Sequence, residues 1–229
     1  MFLSVSIASC SLPFATLWGS LSVVYWFVSP CAECDFAGGV RFICSYVWNS
    51  NTFTSRRAYK HLIGNQPVHL VYSWLWKSCS QNKRKFFFWL LLKDRLSTRE
   101  ILRRKRMHLD DYNCVLCTEA MEESLVYLIL DCSFSRSCWF TLGLLIHNSS
   151  DPFGTLASFR AQLQQPFFME IIVTMSWSIW MVRNDAIFKH VQPSVDHCKR
   201  IFHQEFALVI LKAKSSLAPL LTQWLEVYV

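Results

Sequence analysis

Three cysteines constrain this chain more than any other feature: Cys114 and Cys117 on one tight spacing, and Cys132 a short way beyond. A tetrahedral zinc ion takes four ligands, and a Cys-x2-Cys turn presents two thiolates to one ion. A helix that follows can offer two more from one face. In the spacing Cys114-x2-Cys117-x9-Tyr127-x4-Cys132, those two positions are Tyr127 and Cys132. Tyr is a poor zinc ligand, so the pattern predicts a zinc-type site with three thiolates and a deficient fourth place. The competing reading is three reduced thiols packed between helices.

The other cysteines fit a reducing compartment. Ten are present, and they cluster as Cys31-x2-Cys34, Cys114-x2-Cys117, Cys132 and Cys138 rather than spreading as a disulfide framework. Cys31, Cys34 and Cys44 form a second, weaker candidate metal set. Nuclear or cytoplasmic residence is expected ahead of secretion or a membrane.

The chain can bury a core. Hydrophobic residues make up 52% and charged residues 17%, with ten Trp and eighteen Phe, which excludes wholesale disorder. Residues 1–32 carry no charged side chain, and Leu12 to Val28 is mostly apolar. No Lys or Arg precedes that run, which argues against a signal peptide. It is also at the lower limit for spanning a bilayer. A membrane anchor and an inert upstream segment both stay open.

Charge is concentrated. Ten basic residues lie between Lys83 and Arg106 against Asp94 and Glu100, a net +8 where the whole chain carries +7. Such an excess favours a polyanion, RNA or DNA, and nominates Lys83, Arg84, Lys85, Arg99, Arg103, Arg104, Lys105 and Arg106. The competing reading is a solvated helix face. The four consecutive charges at 103–106 surround a helix rather than forming a stripe.

The pattern predicts a mainly α fold. A short strand pair is expected at Tyr46–Trp48 and Thr52–Thr54, then a helix capped by Ser55 and ended near Gly64. Helices are expected at Tyr72–Trp76, Lys83–Leu92 and Thr98 to about Met107. The Cys turn spans Asp110–Cys117. Glu122 and Glu123 are expected to open a helix to Asp131, placing acid at its positive end. Further helices are expected at Phe134–Leu145, Phe167–Phe188 and Ser194 to about Lys214, the last burying Ile201, Val209 and Leu211. Ser149-Ser150-Asp151-Pro152 reads as a linker. The expected organisation is an apolar segment 1–45, a domain 46–145, a linker 146–165 and a helical segment 166–229.

An ordered set of residues carries a resemblance. Trp74-Leu75-Trp76-Lys77, Lys83 to Leu92, Asp94-Arg95-Leu96-Ser97-Thr98, Cys114-x2-Cys117, Glu123, Leu128, Cys132-Ser133-Phe134 and Cys138-Trp139 together resemble the reverse-transcriptase zinc-binding domain of plant non-LTR (LINE-type) retrotransposon polyproteins. Trp177-Ser178-Ile179-Trp180 with Arg183 to Phe188 is similar to the segment that follows it there. The resemblance implies zinc as cofactor and His at the position held here by Tyr127. It leaves Cys138, His108 or water as candidates for the fourth place. No polymerase, ribonuclease H, phosphate-loop or zinc-protease signature is present, so no catalysis and no small-molecule substrate are expected. The functional expectation is a zinc-binding-like module touching nucleic acid. The alternative is a structural remnant without that contact, with a possible membrane tie through its N-terminus.

Overall fold

A computed structural model describes residues 54–64, 68–147 and 151–228, and the chain divides at Pro67 into two compact units. In the first unit, α1 spans Ser55–Ile63. Its cap is Thr54 rather than Ser55, the Thr54 side chain accepting from the Arg57 N–H, and Gly64 ends it at φ +71°. A left-handed residue after a helix favours Gly because a Cβ there is strained. The expected strand pair and the run Leu12–Val28 lie outside the described residues, apart from Thr54.

The second unit is helical: α2 (Leu70–Lys77), α3 (Asn82–Leu92), α4 (Arg99–Arg104), α5 (Ser133–Thr141), α6 (Pro152–Leu163), α7 (Phe168–Lys189), α8 (Val195–Lys212) and α9 (Ala218–Tyr228). Among the described residues there is no β-strand, only an isolated antiparallel bridge between Asn113 and Glu122. The mainly α expectation holds.

Helix α7 is the central post. Every residue from Phe168 to Ile179 is buried, with the polar Glu170 accepting from the Cys79 N–H and Ser178 donating to the Thr174 carbonyl. Helices α3, α5, α6 and α8 pack around it. Phe87 of α3 meets Trp177 edge-on at 5.0 Å, and Trp74 of α2 meets Phe168 at 5.4 Å. Trp139 of α5 is buried against Phe159 of α6, with its indole N–H donating to the Ile129 carbonyl at 2.8 Å.

Several boundaries differ from expectation for physical reasons. Helix α4 stops at Arg104, and Arg106 turns left-handed at φ +59°. The stretch expected as a linker carries α6, capped by Asp151 with Pro152 in its first turn, and Leu156 and Phe159 dock it on the core. On α8 the buried residues are Cys198, Phe202, Phe206 and Val209, while Leu211 is 82% exposed. Helix α9 was not expected. Its Trp224 packs on Phe206 at 5.3 Å. Among the described residues no helix is long and apolar enough to cross a membrane.

Candidate metal centre

The cysteine turn is built before the cysteines meet. Cys114 N–H donates to the Met121 carbonyl at 2.8 Å and Glu123 N–H donates to the Tyr112 carbonyl at 2.9 Å, closing the loop at its base. Arg99 braces it from α4, donating to the Asn113 carbonyl at 2.9 Å and pairing with Asp111 at 3.2 Å. After the loop the chain enters a wide π-helical turn, Tyr127–Asp131, which Cys132 N–H closes onto the Tyr127 carbonyl at 2.8 Å. A wide turn of this kind is a common mark of a functional position. Cys132 then stands at the N-cap of α5.

The result brings Cys114, Cys117 and Cys132 together, with their Sγ atoms all within 4.8 Å of one another. Cys114 Sγ lies 3.8 Å from Cys132 Sγ. Two sulfurs bound tetrahedrally to one zinc at ordinary Zn–S lengths are about 3.8 Å apart. Cys114 and Cys132 are buried and Cys117 is half-buried, so the site opens on the Cys117 side. The donor set and its spacing fit zinc. The Cys132 thiol is lowered to about 6 by the Cys114 hydrogen bond, helped by the Ser135 backbone N–H at the start of α5. The same hydrogen bond, with burial, raises the Cys114 thiol. A bound ion would need all three thiols deprotonated.

Neither candidate for the fourth place joins this cluster. The Cys138 thiol is outside that group, and its hydrogen bond with Cys198 of α8, followed by burial, raises its pKa. The group contains the three cysteines and does not include His108, which is exposed. Instead Tyr127 Oη lies 3.2 Å from Cys117 Sγ and donates to Glu119 Oε2 at 2.7 Å. Burial, followed by the Cys117 hydrogen bond, raises the Tyr127 phenol. The Tyr127 hydroxyl, then the Ser133 hydroxyl, holds the Glu119 carboxyl below its usual range. Glu119 was not singled out in the sequence, although it stands just two residues past Cys117.

Glu123 serves a different purpose from the one expected. The helical turn that follows begins at Leu125, and the carboxylate serves instead at the start of α4. It is fully buried and accepts from Arg183 of α7 at 2.6 Å and from the Arg99 N–H at 3.0 Å. Arg183 also stacks on Trp180 at 4.9 Å.

The basic stretch divides in two. Lys85 is buried, its Nζ donating to the Trp76 carbonyl at 3.1 Å. Arg84 pairs with Glu205 and lies over the Trp177 ring. With Arg99 bracing the loop, these three have structural duties. Lys83, Arg103, Arg104, Lys105 and Arg106 are exposed. Arg103 pairs with Glu122 at 2.7 Å and Arg104 with Asp94 at 2.6 Å, each arginine side chain more than half exposed.

No curated protein and no solved structure matches the chain. Residues 53–139 match the family model described as zinc-binding in reverse transcriptase, so the segment that carries all three clustered thiols is similar to a reverse-transcriptase zinc-binding domain.

Proposed function

We infer that the chain is a non-catalytic, retrotransposon-derived module in which zinc at Cys114, Cys117 and Cys132 ties the loop to the start of α5. The observation that carries this is the convergence of the three sulfurs inside the segment of matching family. A plant LINE-type parent is the source that the ordered motif set favours. When bound, zinc would supply a structural crosslink rather than chemistry. The free state of all six described cysteines suits a reducing compartment, nuclear or cytoplasmic.

Purified protein is expected to carry about one zinc per chain, lost in Cys132→Ser. A wild type and a Cys132→Ser variant with the same zinc content would remove this reading and leave the thiols as core packing.

Contact with RNA or DNA belongs to the same reading, resting on the exposed side chains at the end of α4 and in the turn after it. Exposed ion pairs are worth little, so Arg103 and Arg104 can exchange Glu122 and Asp94 for phosphates. Reversing Arg103, Lys105 and Arg106 to Glu is expected to abolish binding to single-stranded nucleic acid and to flatten its salt dependence. Lys85→Met is expected to lower stability instead. Salt-independent binding, or reversal without effect, would favour the remnant without nucleic-acid contact.

A further inference from the structure

The Tyr127 hydroxyl lies beside Cys117, the half-buried member of the thiol cluster. Tyr127 stands where the resemblance implies His, and its hydroxyl is held from both sides. On one side it donates to Glu119 Oε2 at 2.7 Å. On the other it lies 3.2 Å from Cys117 Sγ. The hydroxyl has one proton, and Glu119 takes it in the hydrogen bond. The phenol oxygen keeps lone pairs beside that proton, and either atom can donate in the Cys117 contact. Zinc held by the cluster would need the three thiols as thiolates. In a tetrahedral site a sulfur and an oxygen ligand are about 3.5 Å apart, so the observed separation is within a few tenths of an ångström of a coordination edge.

We propose that Tyr127 is the fourth metal ligand of this chain and that Glu119 is its positioning residue. The proposal rests on the zinc-binding reading above. Glu119 plays the part that a carboxylate plays behind a zinc-bound His: it fixes the ligand's orientation and makes its donor atom more electron-rich. Glu119 is free to do so because it stands on the open side of the cluster, exposed, two residues past Cys117. The carboxylate itself does not belong to the group of ligand atoms lying within 4.8 Å of one another. The phenol bridges that gap. The site becomes three thiolates and one phenol oxygen, weaker than three thiolates and an imidazole, and more dependent on its supporting carboxylate.

The test is zinc affinity by competition with a chromophoric chelator, with the visible absorption of the Co(II)-loaded protein as a second readout. Tyr127→Phe keeps the ring and removes the oxygen. It is expected to weaken zinc about 10–100-fold and to change the Co(II) spectrum. Glu119→Gln, at an exposed position, is expected to weaken zinc about tenfold while the Co(II) spectrum keeps a four-coordinate form. Tyr127→His is expected to tighten binding. Wild-type affinity and spectrum in Tyr127→Phe would overturn the proposal. So would a greater loss in Glu119→Gln than in Tyr127→Phe, which would make the carboxylate the ligand. Zinc held by Tyr127→His but not by the wild type would also overturn it while leaving the zinc-type frame intact. Absence of zinc in every form, Tyr127→His included, would remove the frame itself.

Discussion

Arg183→Met is expected to destabilise the second unit by about 3–5 kcal/mol, measured by urea unfolding of the full chain. Arg183 is 5% exposed at its side chain and Glu123 is fully buried, so removing the guanidinium leaves a carboxylate with neither water nor counter-charge. Only the Arg99 N–H would remain as its strong donor. A group stranded in this way costs far more than the pair contributed, because desolvation is not recovered. The double change Glu123→Leu with Arg183→Met removes both charges and is expected to recover most of the loss. A single-variant loss below about 1 kcal/mol, or no recovery in the double variant, would show that the pair is hydrated and structurally minor. For a chain of this size the single variant should also lower Tm by roughly 10 °C.

This pair shows where sequence reading stops. The cysteine cluster was legible because its spacing is local: a Cys-x2-Cys turn and a thiol at a helix start are short-range geometry. Helix α7 was legible because a predominantly apolar run of that length has nowhere to go but the interior. Glu123 was not. Its neighbours suggested the start of a helix, yet its partner lies sixty residues away and no periodicity links the two. Lys85 was misleading in the same way. A basic run reads as surface, but the helix phase that buries Phe87 and Phe88 also turns Lys85 inward, where the Trp76 carbonyl receives it. Helix α9 did leave a signal in Leu221, Trp224 and Leu225, spaced to share one helix face. Tyr127 is the subtlest case. Its residue type argued against a ligand, and only the position of Glu119 beside its hydroxyl gives that oxygen a reason to face the cysteines.

A fragment of residues 68–147 is expected not to unfold cooperatively, with or without zinc, although it holds most of the stretch that matches the family and every clustered thiol. Its core is completed from outside. Phe159 covers Trp139, Trp177 covers Phe87, Phe168 covers Trp74, Cys198 meets Cys138 and Arg183 neutralises Glu123. Each large apolar side chain uncovered costs about 1.5–3 kcal/mol. Three such aromatics together with a stranded carboxylate approach the whole net stability of an ordinary domain, about 5–15 kcal/mol. Zinc held at the three cysteines would tie the loop from Asn113 to Cys132 but would not restore the missing wall of α6, α7 and α8. The fragment 68–228 retains that wall and is expected to give a single sharp transition by circular dichroism. The short fragment should instead give a gradual one and bind a hydrophobic dye. A sharp transition for 68–147 would mean that the cysteine segment folds by itself and that the C-terminal helices are an appendage; its absence would place the unit of folding at the whole of α2 to α9, with the metal site as one corner of a larger core.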